Sequence, residues 1–280
     1  MSLVPERASY TELERLAVEL AQGAAALIRA QDTTRLDVSA KSSASDLVTD
    51  VDRSIEQWLV ARIAATRPAD AVLGEEGAGR DGTSGVRWVL DPIDGTVNFV
   101  LGLPQYAVSV AAELDGVIVA GAVSNPVSAE TFHARLGGGA YLSGPDGRRP
   151  LAGPRGVPLA RSVVGTGFGY DAGQRARQAA VVAELLPRVA DVRRLGAASL
   201  DLCAVAAGRL DAYFEAELNY WDYAAGALIA AEAGCLVSGL RATPPSSRMV
   251  ATAGAAAGAD FFALLAELGA DEVSSPPRSR

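Results

Sequence analysis

The chain has 280 residues, 33 acidic against 25 basic, a formal charge of −8, 49% hydrophobic and 21% charged residues, one His and two Cys. This mix is globular, and its length allows one large domain or two smaller ones with a sizeable core. The acidic balance excludes a general nucleic-acid binder, and one His with two Cys cannot build a multi-His or Cys-rich zinc centre. Cys203 and Cys235 form no redox motif; both read as buried thiols in apolar helical stretches, which suits a reducing cytoplasm. Residues 1–7 carry an early acid and no apolar core, so no signal peptide is predicted. No run of about 18 uncharged apolar residues predicts a membrane span.

Leu13, Leu16, Ala17, Leu20, Ala24, Leu27 and Ile28 recur at helical spacing and predict an amphipathic helix over residues 10–30. Residues 31–46 are polar, Ser-rich and without period, which predicts a mobile loop; it holds Lys41, the only lysine. A second helix is predicted over 52–66, stopping before Pro68. The apolar strand 71–73 then delivers Gly74, Glu75 and Glu76, and strand 86–90 delivers Asp91-Pro92-Ile93-Asp94-Gly95-Thr96. Residues 106–123 read as a hairpin around Asp115-Gly116. Strand-like pieces follow at 130–134 and 161–165, separated by a Gly/Pro-rich linker over 143–158 between two halves, about 1–143 and 160–270. The second half alternates helix 174–188, strand 191–195, helix 199–207, strand 211–215 and helix 221–234. The tail 271–280 reads as disordered. Strands interleaved with helices, plus an antiparallel hairpin, predict a single domain of layered mixed α/β class, α+β in its hairpin.

The stretch 88–99 carries the most chemistry. Pro92 fixes φ, and Gly95 permits a turn that other residues resist, so Asp91 and Asp94 can converge. Converging carboxylates repel and need a cation unless one is protonated. Oxygen donors without His or Cys favour a hard ion, Mg²⁺ above zinc or copper. Asp-Pro and Asp-Gly are also ordinary turn dipeptides whose acids face water. Glu75 and Glu76 follow a neighbouring strand, which suggests delivery to the same sheet edge. Asp222 opens a helix, and Asp46, Asp50 and Asp52 flank another helix start; capping is the plain reading for all four. Residues 165–170 lack the third glycine of a dinucleotide fingerprint, and Lys41-Ser42 follows Ala40 rather than the Gly of a phosphate loop. No Gly-x-Ser-x-Gly elbow exists, and His133 reads as a satisfied strand residue. Carboxylates, hydroxyls and metal are left to carry any hydrolysis.

Several blocks in order resemble the inositol monophosphatase family: Lys41-Ser42-Ser43 before Asp46-Leu47-Val48-Thr49 and Asp52; Leu73-Gly74-Glu75-Glu76; residues 88–99; and Trp221-Asp222-Tyr223-Ala224-Ala225-Gly226-Ala227 through Glu232-Ala233-Gly234. The resemblance spans about residues 10 to 268. It implies the layered αβαβα sandwich of the sugar phosphatases and two or three Mg²⁺ per site. Glu75, Asp91 and the Ile93 carbonyl would hold the first ion; Asp91, Asp94 and Asp222 the second; Glu75 would help with a looser third. Asp52 and Thr96 would polarise the metal-activated water that attacks phosphorus directly. The amides of Gly95 and Thr96 would cradle the phosphate. Asp94, Gly196, Ala197, Ala198 and Glu215 would line the alcohol side, and Lys41 could fold over the site.

Val97, Leu101 and Ala197 depart from residues frequent in the family, the last by losing a hydroxyl. The implied activity is lithium-sensitive hydrolysis of inositol 1-phosphate or a related polyol phosphate by a homodimer. Fructose-1,6-bisphosphatase, histidinol-phosphatase and nucleotide 3′-phosphatase activities stand as alternatives on the same scaffold. A regulatory protein acting through a partner is the alternative outside enzymes.

Overall fold

The computed structural model describes residues 9–31, 38–40 and 47–272. Lys41, Ser42, Ser43 and Asp46 lie outside the described residues, as does the tail from residue 273.

Helix α1 (Tyr10–Arg29) starts at Ser9, which forms a capping box with Glu12, and buries the stripe read from the sequence, Leu13 through Ile28. Two short strands, β1 (Val38–Ala40) and β2 (Leu47–Thr49), pair antiparallel, so the loop expected over 31–46 holds a strand. Helix α2 (Asp50–Thr66) follows β2 directly.

The first sheet is built from β3 (Ala71–Gly74), β4 (Gly79–Arg80), β5 (Val86–Asp94), β6 (Ala107–Leu114), β7 (Val117–Ser124), β8 (Thr131–Arg135), β9 (Ala140–Gly144) and β10 (Gly147–Pro150). Its order is β10-β9-β8-β7-β6-β5-β3-β4, with only β3 and β5 parallel. Half of the segment expected as a linker over 143–158 therefore completes a hairpin, β9–β10. Gly147 at φ 96° supplies its turn, so this glycine, read as a linker signal, serves a sheet.

Helix α3 (Thr96–Leu101) lies between β5 and β6. The second sheet, in order β12-β11-β13-β15-β14, comprises β11 (Val163–Thr166), β12 (Asp191–Arg193), β13 (Ala212–Glu215), β14 (Cys235–Ser238) and β15 (Val250–Gly254). Cys235 thus sits in a strand and not a helix, while Cys203 is helical; both are free and buried. Four more helices are α4 (Ala172–Leu185), α5 (Ala198–Ala206), α6 (Tyr220–Glu232) and α7 (Ala255–Glu267).

Three apolar clusters set the layers. One joins α1 and α2 to the outer face of the first sheet. A second sandwiches α5 and α6 between the sheets, where both helices are apolar nearly all round. The third packs α4 and α7 on the far face of the second sheet. The stack is α, β, α, β, α, as the resemblance implied. Asp271 is buried and paired with Arg241, so order continues past the expected end at 270. Among the described residues, no helix is long and apolar enough to cross a membrane.

Candidate active site

In a regular strand, residues 91 and 94 would face opposite sides, because side chains alternate. Here Asp91 pairs with Ser109 and Asp94 with Ala107, so β5 carries one extra residue between them. That bulge, at Pro92-Ile93, changes the facing of Asp94, whose charge is felt by Asp91. Glu75 arrives from the parallel neighbour β3, its amide donating to the Leu90 carbonyl at 3.2 Å. The carboxylate of Glu56, on α2, holds the turn by accepting from the Glu76 and Ala78 amides, each at 2.8 Å. Asp222 comes from the first turn of α6, where one of its oxygens accepts from the Asn219 amide at 2.6 Å.

Asp91, at the centre of these acids, acquires little compensation from the protein. Asp91 is 1% exposed, and among the described residues its Oδ1 has no hydrogen-bond partner. Burial first, then Glu75, Asp94 and Asp222, hold its carboxyl well above the ordinary range. Asp222 is raised by burial and then by Asp94 and Glu75. Burial lifts Asp94 to about 6, against the donors Ser199 and Ala198 and the charge of Arg194. Among the described residues, no group of three or more His, Cys, Asp or Glu side chains is gathered closely enough to hold a metal ion. The donor set is nevertheless all oxygen, mutually repelling and supplied with a buried unpartnered lone pair, which fits a hard divalent ion.

Asp52 and Thr96 meet as well. Thr49 and Asp52 form the capping box of α2, in which Asp52 Oδ2 accepts from the Thr49 amide at 2.9 Å. Its Oδ1 stands 3.1 Å from Thr96 Oγ1, whose single proton serves either Asp52 or the Ile93 carbonyl at 3.0 Å. Capping, the plain reading of Asp52 and Asp222, thus holds for one oxygen of each. Asp50 is exposed in the same first turn and takes no part in the site.

Gly95, at φ 90°, makes the turn into α3; a Cβ there would lie 2.9 Å from the Gln105 carbonyl oxygen and 3.1 Å from that of Gly196. Asn98 ties this turn to the next segment by donating to the carbonyls of Gln105 at 2.6 Å and Leu195 at 2.8 Å. Ala197 and Ala198 are buried at the start of α5, and the Ala198 amide donates to Asp94 at 3.2 Å. Glu215, at the end of β13, accepts from the Tyr213 hydroxyl at 2.6 Å, and burial lifts it to about 7. His133 is far from this chemistry, held on β8 between Glu14 at 2.7 Å and Ser143 at 3.1 Å.

Four residues at or near the site were not found from sequence: Glu56, Arg194, Ser199 and Asp201. Ser199 donates to Asp94 through both its amide and its hydroxyl. The exposed Arg194 faces Asp94, Asp201 and Glu215 electrostatically, and a Cβ on Gly196 would come within 2.5 Å of its Nη1. Asp201 is buried with one unpartnered oxygen and is raised by burial, Glu215 and Asp94. Arg194 adjoins the predicted Gly196, which is the one available hint; nothing local marks the other three.

The sequence profile of the inositol monophosphatase family matches residues 9–271. The chain belongs to that family. An inositol-1-monophosphatase from Mycobacterium leprae is 53% identical over 205 residues, covering 71% of this chain and 70% of that protein. The solved structure of Mycobacterium tuberculosis SuhB superposes with a TM-score of 0.79 at 42% identity, over 93% of this chain and 98% of that one. A further relative, the Nus factor SuhB of Pseudomonas aeruginosa, is 41% identical over 235 residues, 80% of this chain and 83% of that protein.

Proposed function

We propose that this chain is a Mg²⁺-dependent phosphomonoesterase that hydrolyses inositol 1-phosphate, or a closely related polyol phosphate, by direct attack of water on phosphorus. The observation that carries this reading is the buried Asp91 Oδ1 without a partner, among acids that raise one another. Glu75, Asp91 and the Ile93 carbonyl would hold one ion, Asp91, Asp94 and Asp222 a second, and Glu75 would help with a looser third. Bound there, divalent ions supply a positive field that reverses the repulsion of a phosphate dianion and acidifies the attacking water.

The chain's own residues do the rest. When Thr96 donates to Asp52 Oδ1, its oxygen lone pairs are left to accept a proton-bearing water and aim it. The Gly95 and Thr96 amides cradle the phosphate at the start of α3. Glu215 accepts hydrogen bonds from the hydroxyls of the alcohol, while Asp94, Gly196, Ala197 and Ala198 shape that side. No covalent phosphoenzyme is required, in keeping with His133 being committed to Glu14 and Ser143.

Phosphate release from inositol 1-phosphate, fructose 1,6-bisphosphate, histidinol phosphate and a nucleotide 3′-phosphate tests this, with Asp94→Asn beside the parent chain. Preference for the inositol ester, lost in the variant, is the expected result. Preference for another ester keeps the mechanism and moves the substrate; Asp94→Asn turning over at the parent rate removes the site assignment.

Leu101, Leu103 and Val127 are exposed apolar side chains, and Val127 lines a groove with Pro104 and Asn125; such apolar surface would suit a homodimer, and a light-scattering mass of one chain contradicts it. A second reading, action through a protein partner, draws on the relative named as a Nus factor. It is favoured if partner binding survives when Glu75, Asp91, Asp94 and Asp222 are all changed to Ala.

A further inference from the structure

The carboxylate of Asp94 is held unevenly. Its Oδ2 accepts from the Ser199 hydroxyl at 2.5 Å and the Ser199 amide at 2.7 Å, whereas Oδ1, among the described residues, accepts only from the Ala198 amide, at 3.2 Å. A carboxylate oxygen offers two lone pairs. Oδ2 is therefore saturated by the protein, and Oδ1 keeps one lone pair free.

Ser199 is 0% exposed and lies in the first turn of α5. A serine near a helix start ordinarily caps it, yet the residue in the cap position is Ala197, which has no side-chain donor or acceptor. The Ser199 hydroxyl makes its one hydrogen bond to Asp94, 105 positions away in the chain. Without that hydroxyl the two amides remain, but a pair of amides donates equally well to either carboxylate oxygen, and the terminal torsion of aspartate is broad. The hydroxyl is what fixes which oxygen is spent.

We propose that Ser199 is a positioning residue, whose hydroxyl sets the rotation of the Asp94 carboxylate so that Oδ1 is presented to a divalent cation. This rests on the cation site proposed above. It assigns a role to a residue that the family resemblance did not mark, on the same helix start where Ala197 has lost a hydroxyl.

The test is Mg²⁺ binding by calorimetry on the full chain, together with thermal melting, for the parent, Ser199→Ala, Ser199→Thr and Asp94→Asn. Ser199→Ala is expected to bind Mg²⁺ about tenfold more weakly, as for other groups that orient a metal ligand. Its activity would fall at low Mg²⁺ and recover in excess Mg²⁺. Ser199→Thr, which keeps a hydroxyl, is expected to restore affinity to within about threefold of the parent. Should Ser199→Ala not fold, Ser199→Cys keeps the volume with a much weaker donor and reads the same affinity.

A folded Ser199→Ala or Ser199→Cys that binds Mg²⁺ as the parent does, with only a lower melting temperature, overturns the proposal: the hydroxyl would then serve packing alone. Weakening at Asp94→Asn without weakening at Ser199 overturns this inference and leaves the site reading standing. A parent chain that binds no Mg²⁺ overturns both.

Discussion

Two buried aspartates at opposite ends of the same strand pair receive very different treatment. Asp70 precedes β3 and is 1% exposed, as is Asp91 near the end of β5. Asp70 is surrounded by donors: the Ser84 hydroxyl at 2.6 Å, the Trp88 indole at 2.9 Å and the guanidinium of Arg67. Asp91 keeps an oxygen with no partner and faces three further acids. Burying an acid is costly unless it is paired and hydrogen-bonded. One edge of the sheet meets that cost with protein groups. The other leaves it open, as the proposed role of Asp91 in holding a cation requires.

The largest effect that sharpens this contrast is expected at Asp91. Asp91→Asn should lower Mg²⁺-dependent phosphate release by more than about a hundredfold, since even groups behind a metal ligand cost up to that. A circular-dichroism spectrum matching the parent should show the fold intact. Asp70→Asn should do the reverse, costing about 3 kcal/mol in urea unfolding while leaving turnover per folded molecule unchanged. A variant pair in which both lose activity, or neither loses stability, would break the distinction.

Smaller effects lie around the two aspartates. Thr96→Ala should lower kcat about tenfold to a hundredfold through loss of proton handling, with Mg²⁺ affinity within a few-fold of the parent. If calorimetry instead shows Mg²⁺ binding abolished, Thr96 belongs to the ion site and not to the water. Glu215→Gln should produce the gentlest change, a shift in melting temperature of a few degrees. Burial raises the folded-state pKa of Glu215 to about 7, above its value in the unfolded chain. Stability from the protonated form is therefore present at acid pH and lost as pH rises through that value. The melting-temperature advantage of Glu215→Gln over the parent should grow from pH 5 to pH 8 in EDTA; a constant difference would contradict the shift.

Part of this site was legible because Glu75, Asp91 and Asp94 lie near or just past the ends of strands. Glu75 and Asp91 could be placed on one edge from two short apolar runs, and the parallel pairing of β3 with β5 puts them there. The bulge at Pro92-Ile93 was visible only as a turn signal, because a register shift belongs to two strands at once. Ser199, Arg194, Asp201 and Glu56 act on residues far away in the chain, and no local pattern encodes such contacts.

The same limit applied to the fold. Strand β15, with sequence Val250-Ala251-Thr252-Ala253-Gly254, is buried on every residue, so it lacks the polar alternation that marks a half-exposed strand. No element was read from sequence for it, for β14 or for α7. The Gly/Pro-rich stretch over 143–158 misled in the opposite sense, since its turn glycines close a hairpin as readily as they loosen a linker.

The most direct measurement is the melting temperature with EDTA and with saturating Mg²⁺, for the parent chain, Asp91→Asn and Asp70→Asn. A ligand that binds only the folded state raises its stability by mass action. The expected result is a clear Mg²⁺-dependent rise in the parent, a rise of the same size from a lower starting point in Asp70→Asn, and none in Asp91→Asn. A rise in Asp91→Asn equal to the parent's, or no rise in the parent, would contradict the assignment of the open acid cluster to a divalent ion.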